Sequence, residues 1–278
     1  MRQGREWLEQ QASVADVICF LDFDGTLAPI VDRPGEARPL DGVVGLVEGL
    51  STVIEVAVIS GRGVEDVRQR LGANGIYYSG SHGLELMDPS GAVECLVDEA
   101  LVERIDEAER ALRRRFVEVE GVELERKAAS IAVHYRRAPD RSSEVSRVLQ
   151  KLAKTLGDEE HRLGIHEGKM VLELQPQIGR DKGTALVAIW EAIDPGRNRR
   201  PIYIGDDRTD EDAFEVIADH GEGAAILVAS HPRPSHAEWR LDDPHAVKAW
   251  LKALASRLGI AHDEPRGHDG GSDEMDSA

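Results

Sequence analysis

Four stretches of the chain are apolar almost throughout and stop at turn residues. Residues 17–23 are apolar except for Asp22 and break at Gly25; residues 53–59 are rich in β-branched side chains and break at Ser60-Gly61. Residues 201–204 break at Gly205, and 224–228 form a fourth run. Runs this short, bounded by turn residues, predict strands buried on both faces. Between them, apolar positions recur at helical spacing over 40–50, 64–71, 182–193 and 211–217. Strand then helix, repeated, predicts an α/β fold: a parallel sheet with helices on both faces, where the chemistry sits at the carboxyl ends of the strands.

The rhythm changes in the middle of the chain. Residues 98–117 and 141–156 have amphipathic helical spacing, while 122–126, 130–136, 161–167 and 170–174 look like strands. Helix, two strands, helix, two strands suggests a small α+β layer inserted into the parallel-sheet domain. The expected organisation is a core of 1–87 and 179–262 with an inserted domain at 88–178. Residues 263–278 are mostly Gly, Asp, Glu and Ser with Met275 as the one large apolar residue, which predicts a disordered acidic tail.

Composition narrows the function classes. The 278 residues carry a net charge of −18, of which the tail holds six acids and one Arg. Such an excess argues against a nucleic-acid backbone or an anionic membrane surface as the main partner. No apolar run approaches the roughly 20 residues of a membrane span. Residues 1–11 are charged and lack the apolar stretch of a signal peptide. The two cysteines, Cys19 and Cys95, are too few for a disulfide framework, lack metal-ligand spacing and read as buried thiols, so the cytoplasm is the expected compartment. The oligomeric state is not legible in the sequence, and a monomer is the favoured expectation. Only seven of the 34 basic residues are Lys, which makes each Lys worth weighing.

The candidate chemistry lies where the apolar runs end. Burying Asp22 in such a run costs several kcal/mol unless a cation or donors meet it. Asp22 and Asp24 are two apart, so on an extended strand they leave the same face. Two close carboxylates repel unless a hard cation such as Mg²⁺ holds them or one is protonated. The pair suits metal-assisted chemistry with one nucleophile and one acid/base. Gly25 permits a sharp turn, and Thr26 can cap or bind phosphate. An Asx turn would explain Asp24-Gly25 alone, but not the whole string after a buried strand. A second cluster, Asp206-Asp207-Arg208-Thr209-Asp210-Glu211, follows another short strand. An acidic helix start accounts for Asp210 and Glu211. Asp206 and Asp207 come straight off the strand and could share a sparse Mg²⁺ site with the first cluster. Ser60-Gly61-Arg62 offers a hydroxyl and N–H groups to a phosphate, and is as readily a plain turn. Lys182 begins a helix, where a cation is locally unfavourable, so it serves something anionic or is simply exposed.

The order Asp-x-Asp-Gly-Thr, Ser-Gly-Arg, Lys, Gly-Asp-Asp-x-Thr-Asp resembles the haloacid dehalogenase superfamily of phosphohydrolases. Gly80-Ser81-His82-Gly83-Leu84-Glu85, Glu125-Arg126-Lys127, His134-Tyr135-Arg136 and the segment from Gly168 to Glu173 resemble its trehalose-6-phosphate phosphatase branch. The resemblance implies a Rossmann-like core with an inserted α+β cap, and hydrolysis of a sugar phosphate, trehalose 6-phosphate, with Mg²⁺. It implies Asp22 as nucleophile, Asp24 as acid and base, and Ser60 and Lys182 as grips on the phosphoryl oxygens. Thr26, Gly61 and Arg62 fall on the substrate side. Asp22, the Asp24 carbonyl and Asp206 would hold the metal, with Asp207 and Asp210 orienting that shell. Glu125, Lys127, Arg136, Lys169 and Glu173 match positions that contact the disaccharide, and Val171 stands where some members carry a further Glu. His82 and His134 receive no catalytic role. Another sugar-phosphate phosphatase, acting on sucrose phosphate or a phosphoglycerate-linked sugar, is the nearest alternative. A non-catalytic sugar-phosphate sensor is the alternative of another class.

Overall fold

The computed structural model describes residues 1–168 and 170–260, and every element and contact lies among these. Lys169 and the expected tail at 263–278 lie outside the described residues. The chain opens with β1 (Arg2–Gln3), α1 (Gly4–Gln10), β2 (Val17–Leu21), α2 (Val43–Ser51), β3 (Glu55–Ile59) and α3 (Val64–Leu71). Three short strands follow, β4 (Tyr77–Gly80), β5 (Glu85–Met87) and β6 (Val93–Cys95). The middle contains α4 (Glu99–Phe116), β7 (Glu123–Arg126), β8 (Ile131–His134), α5 (Ser142–Leu156), β9 (Leu163–Gly168) and β10 (Val171–Pro176). The chain then continues through α6 (Lys182–Ile193), β11 (Arg200–Gly205), α7 (Glu211–His220), β12 (Ala224–Val228), β13 (Trp239–Leu241) and α8 (Pro244–Arg257).

The large sheet runs β1-β13-β12-β11-β2-β3-β4-β5-β6. It is parallel from β1 to β4 and antiparallel from there to β6. The four expected strands form its centre. Side chains of β2 alternate between two cores: Val17, Cys19 and Leu21 pack toward α1, α2, α3 and α8, and Ile18 and Phe20 toward α6 and α7. Burial on both faces is why this segment reads as an unbroken apolar run. The connection from β4 to β5 is a single turn at Ser81–Gly83, too short for a crossover, so β5 returns antiparallel.

The second sheet, β7-β8-β10-β9, is antiparallel. Asp98 caps α4 by accepting from Leu101 N at 2.8 Å. α4 and α5 cover one face of this sheet, over a core that includes Ile105, Leu112, Val145, Ile131, Val133, Leu172 and Leu174. The other face carries a cross-strand row, Glu125–Ala132–Glu173–His166, set by register.

The structure moves two expectations. The inserted layer was expected from 88, yet β6 at Val93–Cys95 still pairs in the large sheet, so the layer begins with α4. Cys95 was expected to be buried and is exposed, because it sits on the outermost strand; Cys19 is buried, which pushes its thiol up to about 12. Among the described residues no helix is long and apolar enough to cross a membrane.

Candidate active site

β2 and β11 are neighbours and end together, Leu21 pairing with Ile204. Just beyond them stand the two acidic clusters. Asp22 is buried, and its backbone N–H donates to Ile204 O at 2.9 Å. Oxygens of Asp22, Asp206 and Asp210 lie within 4.8 Å of one another. The chain turns sharply at Gly25, with φ +84, and a Cβ there would stand 2.1 Å from Asp206 Oδ2. Glycine is needed both for the backbone and for the close approach of Asp206.

Lys182 joins the clusters. Its Nζ donates to Asp22 Oδ1 at 2.8 Å and to Asp210 Oδ1 at 2.7 Å. It is buried, so the reading of an exposed Lys at a helix start is excluded. Asp181 caps α6 in its place, through a reciprocal box with Thr184. Asp210 makes further bonds with protein donors: Tyr203 Oη donates to Oδ1 at 2.6 Å, and Asp206 N and Asp207 N donate to Oδ2 at 2.9 Å. Asp210 therefore fixes both the lysine and the backbone that presents Asp206. Asp207 faces outward and accepts from Thr209 N and Thr209 Oγ1, both at 2.7 Å.

Asp24 was expected to leave the same face of the strand as Asp22, with a hard cation holding the pair or one of the two protonated. Its side chain instead meets Arg62, whose Nε and Nη2 reach its two oxygens at 2.6 and 2.7 Å. The strand ends at Leu21, so the alternation that would align the two carboxylates does not continue. Arg62 also donates to Asp66 Oδ2 at 3.0 Å, and Arg70 Nε to the same oxygen at 2.8 Å. Asp66 is held below its ordinary value: burial opposes this, and the Arg70 and Arg62 bonds outweigh it. Ser60 is buried, and its Oγ accepts from Arg62 N at 3.2 Å. Thr26 is buried with its hydroxyl unpartnered.

Charge balance tests whether the site fits a metal. One ammonium stands against three carboxylates, leaving two negative charges uncompensated. Burial first, then the neighbouring carboxylates, pushes Asp206 up to about 7 and Asp22 well above the usual range. Burial also raises Asp210. Lys182 is raised well above its ordinary value, because Asp210 and Asp22 outweigh the burial that opposes its charge. Asp206 Oδ1 is buried without a hydrogen-bond partner. A hard divalent cation supplies what this oxygen lacks and matches the uncompensated charge, so the donor set fits one.

The second sheet holds some of the residues expected on the sugar side. Lys127 Nζ donates to Glu173 Oε2 at 2.7 Å and crosses to Gly61 O at 3.0 Å. Ser130 Oγ also donates to Glu173. Glu125 Oε2 meets His134 Nε2 at 2.8 Å, which holds its carboxyl below the usual range. Arg136 is exposed, two residues beyond the end of β8. Lys169 lies outside the described residues. Sequence reasoning missed Tyr203, Asp66 and His134 as partners; Tyr203 is hidden in an apolar run, and Asp66 looks like any acid in a first helical turn.

The sequence profile of the Trehalose-phosphatase family matches residues 20–245. The chain belongs to this family. A Mycobacterium marinum trehalose-phosphate phosphatase is 38% identical over 246 residues, covering 86% of this chain and 61% of the relative. A Mycobacterium tuberculosis protein named an uncharacterized glycosyl hydrolase is also 38% identical, over 93% of this chain and 20% of its own length. This member of the trehalose-phosphatase family thus spans under two thirds of these relatives. A solved structure described as a trehalose-6-phosphate phosphatase related protein superposes with a TM-score of 0.72 at 25% identity, covering 87% of this chain and 98% of that one. The fold is that of the haloacid dehalogenase superfamily phosphatases.

Proposed function

We propose that this trehalose-phosphatase family member is a Mg²⁺-dependent phosphatase that hydrolyses trehalose 6-phosphate through an aspartyl-phosphate on Asp22. The single observation that carries the reading is the Lys182 bridge from Asp22 to Asp210, set beside an unpartnered Asp206 oxygen. The bridge engages Asp22 Oδ1, while Oδ2 has no hydrogen-bond partner among the described residues. Oδ2 is therefore the attacking atom.

Asp22 Oδ2 forms a bond to phosphorus as the bond from phosphorus to the sugar oxygen breaks. Asp24 gives that oxygen its proton, then takes one from a water that attacks phosphorus and breaks the bond to Asp22. Phosphate and the sugar leave. Lys182 and Ser60 steady the phosphoryl oxygens, and buried donors in fixed positions stabilise charge there more than water does. A Mg²⁺ held by Asp22, the Asp24 carbonyl and Asp206 would neutralise phosphoryl charge. Asp207 and Asp210 orient this shell. Thr26, with its unpartnered buried hydroxyl, Gly61 and Arg62 complete the phosphate side.

The second sheet together with α4 and α5, from Glu99 to Pro176, is read as the cap that chooses the sugar, with the large sheet and its helices as the core. Glu125, Lys127, Arg136, Lys169 and Glu173 supply acceptors and donors for hydroxyls. Both cysteines are free, which suits the reducing cytoplasm.

The test is phosphate release from a panel of sugar phosphates, with Mg²⁺ and with a chelator. Trehalose 6-phosphate should lead the panel and the chelator should stop turnover. Asp22→Asn should abolish turnover and leave the fold. Glu125→Ala should harm trehalose 6-phosphate far more than p-nitrophenyl phosphate. Full activity in Asp22→Asn, or chelator-resistant release, would overturn the mechanism; a preference for another sugar ester would overturn the substrate.

A further inference from the structure

We propose that His82 is a sugar-reading residue of this site, offering a neutral imidazole to a substrate hydroxyl at the seam between the two sheets. The inference rests on the sugar-phosphatase reading above and adds a contact to it.

The backbone at this point is unusual. Ser81 and His82 are consecutive non-glycine residues with φ of 51 and 55. Left-handed backbone costs roughly 1–2 kcal/mol for a residue with a Cβ, so a pair of them persists only where the surroundings hold it, as functional sites often do. Three bonds hold it here. Ser81 Oγ donates to the buried carboxylate of Glu85 at 2.7 Å. Ser81 N donates to Arg62 O at 2.7 Å, and His82 N to Ser60 O at 3.2 Å. Glu85 Oε2 also accepts from Val64 N at 3.2 Å, at the start of α3. The strained turn is thereby fastened to the Ser60–Arg62 turn as one block.

That block places the His82 ring over Gly61, where a Cβ would lie 2.6 Å from Nε2. The ring's other neighbour is His166, with centroids 5.1 Å apart. His166 ends the cross-strand row Glu125–Ala132–Glu173–His166. His82 thus stands between the turn beside Asp24 and the row that carries two of the sugar-side acids. The side chain is largely buried but keeps some exposure, and its ring nitrogens have no hydrogen-bond partner among the described residues.

Its chemistry suits a hydroxyl better than a phosphoryl group. Burial pushes the imidazole down to about 3, and Lys182 and Lys127 add to the effect, opposed by Glu173. A neutral imidazole has one donor and one acceptor, the same pair a hydroxyl has, and brings no charge for a phosphate.

The experiment compares His82→Gln with His82→Met. The two replacements are unbranched and of similar length, and only Gln carries a donor and an acceptor in place of the ring nitrogens. kcat and KM are measured for trehalose 6-phosphate and for p-nitrophenyl phosphate, with melting temperatures as a control on folding. The Met variant should lower the ratio of kcat/KM values, sugar ester over aryl ester, about tenfold and mainly through KM, as expected for one lost hydrogen bond. The Gln variant should stay within about threefold of the natural chain. Equal loss on both esters, equal ratios in the two variants, or no loss in either would overturn the proposal and leave the ring as packing for the Ser60 turn. If the natural chain prefers another sugar phosphate, the substrate reading fails and the comparison is made on that ester. Release from no ester overturns both.

Discussion

Arg62 grips Asp24 with two donors at once, Nε 2.6 Å from Oδ2 and Nη2 2.7 Å from Oδ1. A paired fork of this kind fixes the orientation of the carboxylate. It also leaves Asp24 accepting at both oxygens, so in the proposed reaction the pair has to open before Asp24 can hand a proton to a leaving group. Asp66 is a second hold for the same guanidinium, at 3.0 Å. Arg62→Lys keeps the charge and loses the fork. Its kcat on the sugar phosphate should fall about tenfold or more, as for the loss of a charged hydrogen bond. Steady-state kinetics check this; an unchanged kcat would mean that Arg62 has no part in positioning Asp24.

Asp206 should make the metal-free chain sensitive to pH. Its folded value of about 7 lies above the ordinary 3.8. Between these values the folded chain keeps a proton that the unfolded chain has lost. The contribution to stability is thus present in full below 3.8 and lost as pH rises through 7. In chelator, melting temperature should drop more steeply from about pH 5 to about pH 8 in the natural chain than in Asp206→Asn. Mg²⁺ should restore the loss at the upper end in the natural chain only. Parallel curves for the two proteins would refute this.

Gly25→Ala tests the close approach of the two acidic clusters. The new Cβ would stand 2.1 Å from Asp206 Oδ2, on a backbone of φ +84. The strain alone should destabilise the chain by about 1–2 kcal/mol. Displacement of Asp206 should weaken Mg²⁺ binding as well. Urea unfolding and calorimetric titration with Mg²⁺ measure the two effects separately.

Tyr203→Phe removes the hydroxyl that donates to Asp210 Oδ1 at 2.6 Å and keeps the ring in its core. Stability should fall by about 1–3 kcal/mol, the range for a hydrogen bond to a charged, buried group. Turnover should fall severalfold, because Lys182 shares that oxygen. Equal turnover at saturating Mg²⁺ would show that Lys182 alone suffices to hold Asp210.

The central strands were legible because burial on both faces leaves no polar interruption, as in β2 and β12. β4 was not, since Tyr77, Ser79 and Gly80 break any apolar run, and β13 has three residues. α8 lies outside the expected elements although its signal is legible: Asp243 as cap, Pro244 in the first turn, and buried Val247, Trp250, Leu251 and Leu254 at helical spacing. In the site, Asp22 and Asp206 stood out because charge next to an apolar run is costly, and Lys182 because a cation at a helix start is unfavourable. Their pairing was hidden, with Lys182 and Asp22 160 positions apart. Distance in sequence likewise hid the grip of Arg62 on Asp24, 38 positions away, which turned that carboxylate from its neighbour.

The exposure of Cys95 has a practical consequence. The chain has two cysteines; one is sealed in the sheet with its thiol pushed up to about 12, and the other lies open on the outermost strand. A maleimide dye at neutral pH will therefore attach at one place, without any engineered thiol. That place is three residues before the cap of α4, where the chain leaves one sheet for the other. The natural protein thus carries its own reporter position for watching the two sheets move against each other.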